Sequence, residues 1–493
     1  MNFAQAATLN AAGTRTENGA YALNTTGSKL LDFFAVAGAL RGQDSIRIER
    51  LFDDAFAEDP LGAVRTLFYL RDVRGGLGER STFRLLIRHL AQTHPEALVY
   101  NVGLIPEYGR WDDLYVLDGT PLEINAYATI SNQLNKDLAD LEDGQPVSLA
   151  AKWVKSPNNK NNTGTALLGK RTAEYCGYNP VEFRKILSKL RAKLKIVERD
   201  MSANKWGAIN YPAVPSRAMH VYNKAFNRHD QERFDKYMKA LERGEAKINS
   251  STLYPYDILR KIWGLDWWRS GRPAADPVAE AQWKALPNYV GSHKAIVMAD
   301  TSGSMCGLPM YISVSLAIYF AERNTSAYKD LWMSFSSQPK MQRLKGQTLQ
   351  QKLKSLNMDA WQGSTNLEAA FQLVLDIAIA NHVQPDDMPE SIIVISDMEI
   401  DCCARGSWTF YDLMKKRYED SGYRIPNIVF WNVQSRHDTF HVDGKRQGVQ
   451  LVSGASPSVF KQVMGMIGTT PVENMYAVLN SERYAAIKIE RSE

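Results

Sequence analysis

AIVMADTSGS, residues 295–304, is the stretch that decides the fold of the C-terminal part of the chain. A short apolar run ends in Asp300, and the hydroxyl residues Ser302 and Ser304 follow at once. From residue 290 onward, further β-rich runs alternate with helical segments: LWMSFS, SIIVISD and NIVFWNV. This alternation is typical of a doubly wound α/β domain with a largely parallel sheet. We therefore predict such a domain over residues 290–493.

The ends of these strands carry residues suited to a metal ion. Two hydroxyls and a carboxylate lie within residues 300–304, and Gly303 lets the loop turn tightly. A second loop, GSTN, places another hydroxyl at Thr365, and the strand IIVISD ends in Asp397. Hard divalent cations prefer oxygen ligands, and open α/β sheets bind ligands at the carboxyl ends of their strands. The pattern predicts a cation site at this edge of the sheet.

The same five positions resemble the metal-ion-dependent adhesion site of von Willebrand factor A domains. The resemblance implies that Ser302, Ser304 and Thr365 bind Mg²⁺ directly, with Asp300 and Asp397 completing the site. It also implies one open position on the ion, filled by an acidic group of a protein partner, with Mn²⁺ or Ca²⁺ as alternative ions. The chain departs from the family at its last motif, where Ser-Asp-Met (396–398) stands in place of the common Thr-Asp-Gly.

The preceding half reads as helical. Apolar residues recur at helical spacing in LLDFFAVAGAL, AVRTLFYLRDV and FRLLIRHLAQ, with glycines and prolines between the runs. We predict a HEAT-like helical-repeat domain over residues 28–285, after a flexible N-terminal segment (1–27) and before a Pro- and Gly-rich boundary at 268–292. The clearest single helix is predicted over 181–199, with an apolar stripe on one side and basic residues on the other.

Positive charge is concentrated within this helical half. The chain has a net charge of +5, yet residues 151–230 contain 16 Lys and Arg against 5 Asp and Glu. Aromatic residues are interleaved with these cations, the combination that single-stranded RNA binding requires. Solvated helix faces are the plain alternative. The candidate RNA-binding residues are Lys152, Lys155, Lys160, Lys170, Arg171, Lys185, Lys189, Lys195, Lys205, Arg217, Lys224 and Arg228.

Several stretches of the helical half resemble the TROVE module of Ro autoantigens. They include YLRDVRGGLGERSTFRLLIRHL (69–90) and NVGLIPEYGRWDDLYVL (101–117). The resemblance is closest to an uncharacterised relative, domain of unknown function 2828, which TENGAYALNTTGSKLLDFF (16–34) and VQLVSGASPSVFKQVM (449–464) also resemble. In Ro proteins, helical repeats form a ring closed by a C-terminal von Willebrand A domain, and the ring binds small structured RNAs and single-stranded RNA ends. The resemblance therefore implies RNA as a partner.

Other function classes find less support in the sequence. No HExxH, GxSxG or kinase motif is present, and no nucleophile–base pair stands out, so we expect a protein without catalytic activity. Four cysteines, no long apolar run and no leader-like start favour a cytoplasmic protein without a membrane span. Two interpretations remain: an RNA-binding protein of Ro-like type, or a Mg²⁺-dependent scaffold that holds an acidic residue of a partner protein without nucleic acid.

Overall fold

The computed structural model describes residues 13–159, 161–264, 273–335, 338–356, 366–400, 410–466 and 468–489. The chain divides into two compact units, each assembled from two separate stretches of sequence. The first, the sheet unit, comprises Met1–Asp59 and Ser250–Ser481, and the second, the helical unit, comprises Pro60–Asn249 and Glu482–Glu493.

The sheet unit is built on a six-stranded sheet with the order β5-β4-β3-β6-β7-β8. Strands β3, β4, β6, β7 and β8 are parallel, and only the edge strand β5 runs antiparallel. Every residue of β3 and β6 is buried, which explains why their sequences are apolar without alternation. The strands, with a separate two-stranded hairpin β1-β2, are β1 (Gly13–Arg15), β2 (Tyr21–Leu23), β3 (Ala295–Asp300), β4 (Leu331–Phe335), β5 (Met341–Arg343), β6 (Ser391–Ser396), β7 (Asn427–Asn432) and β8 (Val449–Ser453).

Helices cover this sheet. The helix that follows β3 is buried almost along its whole length, from Pro309 to Ala321. Side-chain caps fix several helix starts, such as Asn366, which accepts a hydrogen bond from the Ala369 N–H. The helices of this unit are α1 (Lys29–Val36), α2 (Ser45–Glu58), α14 (Pro255–Trp263), α15 (Pro277–Lys284), α16 (Leu308–Arg323), α17 (Leu349–Ser355), α18 (Leu367–Ala380), α19 (Phe410–Asp420), α20 (Val459–Met464) and α21 (Pro471–Leu479).

The N-terminal stretch differs from the flexible segment predicted over 1–27. Residues 13–23 form the hairpin β1-β2, and the Thr16 hydroxyl donates to the carbonyl of Ile400 at 2.6 Å. Leu23 forms a β-bridge with Phe440. These partners lie about 400 residues away in sequence, so no local pattern predicts them. Helices α1 and α2 also belong to the sheet unit, although the prediction assigned them to the helical domain.

The helical unit contains no described strand, and its core is made of the apolar faces of short helices. Leu86, Ile87 and Leu90, for example, form a fully buried stripe on α4 at helical spacing. Its helices are α3 (Pro60–Arg71), α4 (Ser81–Thr93), α5 (Pro95–Leu98), α6 (Ile105–Tyr108), α7 (Glu123–Glu142), α8 (Ala150–Trp153), α9 (Thr163–Tyr175), α10 (Pro180–Lys193), α11 (Val197–Ser202), α12 (Ser216–His229) and α13 (Gln231–Glu242).

The helix predicted over 181–199 is two helices. Its start is confirmed: the helix begins at Pro180, and Asn179 before it forms a capping box with Glu182 in the first turn. The helix ends at Lys193 because Lys195 has a left-handed backbone with φ of 49°, and α11 begins only at Val197. The apolar stripe of Phe183, Leu187 and Leu190 is buried as predicted, but Lys195 leaves the helical face that holds Lys185 and Lys189.

The predicted fold class is confirmed: a helical region precedes a mixed, mainly parallel sheet. The boundary stretch 268–292 carries helix α15, whose Trp283 indole donates to Glu322 on α16 at 2.8 Å. None of the helices among the described residues is long and apolar enough to span a bilayer.

Candidate functional site

The order of the strands brings Asp300 and Asp397 to one point. Strand β3 lies between β4 and β6, so the chain winds toward one edge of the sheet after β3 and toward the other after β6. Ligand sites of open α/β sheets form at this switch, outside the carboxyl ends of the two central strands. Asp300 is the last residue of β3, and Asp397 follows the last residue of β6.

Asp300 is fully buried and held by two hydrogen bonds. Its Oδ1 accepts the N–H of Ser302 at 2.9 Å, and its Oδ2 accepts the Ser396 hydroxyl at 2.5 Å. Burial, and then the charge of the neighbouring Asp397, raise the pKa of Asp300 to about 7. Two carboxylates held together away from water repel each other, and a cation placed between them would relieve that repulsion.

The two serines of the first loop also converge. The Ser302 and Ser304 hydroxyls form a hydrogen bond with each other, with their oxygens 3.0 Å apart. Thr365, the third predicted hydroxyl ligand, lies outside the described residues. Four of the five predicted metal residues therefore have a described position: Asp300 at the end of β3, and the others in the loops that follow β3 and β6.

Asp397 retains an oxygen without a hydrogen bond. Its Oδ1 accepts the N–H of Glu399 at 3.2 Å, whereas its buried Oδ2 has no hydrogen-bond partner among the described residues. Within the described residues, Nη2 of Arg436 lies 3.7 Å from that oxygen. A buried and unsatisfied carboxylate oxygen is costly, and a metal ion is one group that would satisfy it.

The departure from the family motif at residue 398 has a visible consequence. Met398 adopts a left-handed backbone, with φ of 67°, where glycine is ordinarily favoured. The loop holds this conformation with a methionine because the Met398 side chain is buried and its carbonyl lies 3.1 Å from Nε2 of His441. The loop after β6 thus keeps a glycine-like geometry without a glycine.

Two residues near the site were not predicted from the sequence. Arg436 donates to the carbonyl of Ser304 and lies 3.9 Å from Glu17 of the hairpin. Glu399, also buried, accepts the N–H of Glu17 at 2.6 Å. Their separation in sequence leaves no spacing pattern that could have identified them.

The donor set fits a hard divalent ion. Among the described residues, no group of three or more His, Cys, Asp or Glu side chains is suited to a metal. The candidate centre instead combines two carboxylates with serine hydroxyls, oxygen donors that suit Mg²⁺, Mn²⁺ or Ca²⁺ better than zinc.

The predicted RNA-binding residues differ in their exposure to solvent and in their ion pairs within the protein. Lys160 lies outside the described residues. Arg171 is bound to Asp118 through both carboxylate oxygens, at 2.7 and 2.6 Å, and Lys152 and Lys155 are partly buried. The remaining residues are exposed: Lys170, Lys185, Lys189, Lys195, Lys205, Arg217, Lys224 and Arg228.

On α10, Lys185 and Lys189 lie one turn apart and opposite the buried apolar stripe. Lys189 has Glu142 at 4.0 Å, an exposed pair that neutralises little of its charge. The basic face of this helix is therefore open to solvent.

Aromatic residues of the same region are already stacked within the protein. Tyr175 stacks on Tyr127 with ring centroids 4.5 Å apart, and Trp206 stacks on His229 at 4.4 Å. Trp153 lies under the guanidinium of Arg110 at 4.0 Å. Each ring has one face covered by a protein group, which fixes its orientation.

Models of two protein families match the two halves of the chain. The family model for domain of unknown function 2828 (DUF2828) matches residues 16–116 and 168–292. A second, domain of unknown function 7788 (DUF7788), matches residues 294–490, which include the candidate metal centre. An uncharacterised protein of Acanthamoeba polyphaga mimivirus is 27% identical over 508 residues, covering 94% of this chain and 86% of the relative.

Among solved structures, the Ro (RSR) protein of Deinococcus radiodurans matches with a TM-score of 0.44 and 15% identity. The match covers 89% of this chain and 99% of that one.

Proposed function

The chain is a protein close to the DUF2828 family, and on that premise we propose that it is a non-catalytic RNA-binding protein whose sheet unit holds a divalent cation. The observation that carries the RNA proposal is the solvent-exposed basic face of α10, within the matched stretch 168–292. The resemblance of residues 69–117 to the TROVE module supports the same partner.

Exposed lysines and arginines bind the phosphate backbone without regard to sequence, and each contact releases counterions. We therefore propose single-stranded or small structured RNA as the partner, bound with a strong dependence on salt. The helix α10 positions the lysines for this contact, because its apolar stripe is buried in the protein and its lysines face solvent.

In the sheet unit, Asp300, Asp397, Ser302 and Ser304 would hold Mg²⁺, with Thr365 as a fifth donor. The ion would supply a Lewis-acidic position for an anionic group of a ligand. Asp300 and Asp397 provide the negative charge, and the serine hydroxyls provide neutral oxygens. Arg436, which lies beside Asp397, orients the loop after β3 through its bond to the Ser304 carbonyl.

The second candidate function is a Mg²⁺-dependent scaffold that holds an acidic residue of a partner protein. The specific observation in its favour is the unsatisfied Oδ2 of Asp397, which a cation in the sheet unit would satisfy. Fluorescence anisotropy of a labelled single-stranded RNA, titrated with protein at several salt concentrations in Mg²⁺ and then in EDTA, separates the two. Tight, salt-sensitive binding supports the RNA proposal, and no binding at low salt leaves the scaffold.

A charge-reversal variant sharpens this experiment. Replacing Lys185, Lys189 and Lys195 with Glu should lower RNA affinity at least tenfold and leave the melting temperature nearly unchanged, because all three side chains are exposed. The matched control replaces three other exposed lysines of the same unit, Lys236, Lys239 and Lys247. If wild type and this triple variant bind RNA with equal affinity, these lysines only interact with solvent and do not contact RNA.

A further inference from the structure

Outside the basic segment, arginines converge on two buried aspartates of the helical unit. Asp112 and Asp113 lie in the turn Trp111–Leu117, and Asp113 is completely buried. Arg110 binds both oxygens of Asp112, at 2.8 and 2.7 Å. Arg84 bridges the pair, with Nη2 at 2.9 Å from Asp112 and Nε at 2.6 Å from Asp113.

These contacts fix the arginines and leave part of each guanidinium unused. Arg110 donates to Asp112 from Nε and Nη2, whereas Arg84 donates to Asp113 from Nε and its Nη2 only forms an ion pair with Asp112. Among the described residues, neither Nη1 group has a hydrogen-bond partner. A planar guanidinium offers five donors in a rigid fork, so each arginine retains donors aimed away from the aspartates.

Positive charge exceeds negative charge at this place. Nη2 of the buried Arg71 lies 2.8 Å from Oδ2 of Asp113, and Nζ of Lys155 lies 3.9 Å from Oδ2 of Asp112. The exposed Arg80 has no ion pair or hydrogen bond from its side chain within the described part of the chain. Arg80 is the residue before α4, and its carbonyl accepts the N–H of Arg84 at 3.0 Å, so the two arginines lie one helical turn apart. Four cationic side chains thus share two carboxylates, and Arg80 adds a fifth positive charge without a carboxylate of its own.

An aromatic ring closes one side of the group. Trp153 lies beneath Arg110 with the guanidinium 4.0 Å from the ring centroid, and the Lys152 ammonium lies 5.4 Å from the same ring. Such stacking holds the guanidinium flat and combines a π-surface with cations, as nucleic-acid strands require.

We propose that Arg80, Arg84 and Arg110 form a phosphate-binding subsite for the backbone of single-stranded RNA. The inference rests on the proposed RNA function and gives it a defined contact point. Positive charge in excess of the two internal carboxylates is unfavourable, and an external phosphodiester would supply the missing counter-ion. Arginine forks bind phosphate oxygens bidentately, and the aspartates hold two of these forks in place before the ligand arrives.

The test is the Arg80→Ala variant, because Arg80 has no internal partner whose loss would unfold the chain. We would measure binding of a labelled oligouridylate by anisotropy over about 50 to 200 mM salt. Loss of one phosphate contact should lower affinity about tenfold and reduce the slope of log K against log salt by about 0.7. The control is Arg243→Ala, since Arg243 is an exposed arginine of the same unit beside Glu245 at 2.8 Å; both quantities should remain at the wild-type value.

The outcomes separate this subsite from the general function. RNA binding that Arg80→Ala leaves unchanged overturns the subsite and retains the RNA function. If the wild type binds no RNA, the proposed function fails, and calorimetry with inorganic pyrophosphate then decides the subsite. Pyrophosphate binding weakened by Arg80→Ala would support a phosphate site for another ligand, and its absence would overturn the site altogether.

Discussion

Replacing Asp300 with Asn should stabilise the protein in the absence of metal and abolish its response to Mg²⁺. The buried carboxylate of Asp300 carries a pKa of about 7 against an ordinary value of 3.8. A carboxyl whose folded pKa is raised favours the folded state at low pH, and that contribution is lost as pH rises through the folded pKa. At pH 8 the Asp300 carboxyl is ionised in the folded state, so the full destabilisation of the folded protein by its burial is present.

The magnitude follows from the shift. About three pKa units at 1.36 kcal/mol each amount to about 4 kcal/mol of folding free energy at pH 8. Asn keeps an acceptor for the Ser302 N–H and offers a donor to the Ser396 hydroxyl, so the two hydrogen bonds of Asp300 have replacements. In a unit of this size, 4 kcal/mol corresponds to a rise in melting temperature on the order of 10 °C.

The assay is thermal unfolding at pH 8 in EDTA and in excess Mg²⁺, with hydrogen exchange of β3 and β6 as a local measure. Wild type should gain about 2.7 kcal/mol when Mg²⁺ is at a hundred times its dissociation constant, and Asp300→Asn should gain far less. Asp386→Asn, at an exposed carboxylate of the same unit, is the matched control and should leave both melts unchanged. A variant less stable than wild type in EDTA, or one with an equal Mg²⁺ shift, would refute the reasoning.

Three further outcomes are expected. Arg436→Ala should raise Mn²⁺ affinity about tenfold in calorimetry by removing a positive charge 3.7 Å from Asp397, and a lower affinity would contradict competition between the two cations. Arg483→Gln should cost the helical unit about 3–5 kcal/mol, because it breaks the 2.9 and 3.0 Å bonds to a fully buried Asp72; a melt like that of wild type would count against a buried ion pair. Burial lowers the pKa of His441 to about 4, so stability should fall by about 3 kcal/mol as pH drops from 6.5 to 4, and a His441→Gln variant with the same pH dependence would exclude that imidazole as the cause.

The sheet unit was largely predictable from the sequence because its signals are local. AIVMAD and SIIVISD are apolar throughout, which is what a strand buried on both faces requires, and each ends in the aspartate that the fold places at the switch point. The prediction of a cation site rests on the residues at the ends of two strands, without knowledge of side-chain contacts.

The remaining features depend on contacts between distant segments. Arg436 reaches the loop after β3 from 132 residues away, and Arg483 reaches Asp72 across 411 residues. The end of α10 was misplaced because the apolar repeat continues through Leu194 and Val197 while the backbone turns left-handed at Lys195. Periodicity reports which residues prefer burial, and it does not report where a helix stops.

The sheet unit is assembled from two stretches that are far apart in sequence, and this affects how it folds during synthesis on the ribosome. Helices α1 and α2 emerge early, yet the sheet against which α1 packs is complete only at Ser453. At the ordinary pace of about 5–20 residues per second, the wait is on the order of tens of seconds. Leu30, Leu31, Phe33 and Phe34, all buried in the finished fold, remain without their partner sheet during that interval. We therefore expect the yield of folded protein to depend on the rate of translation.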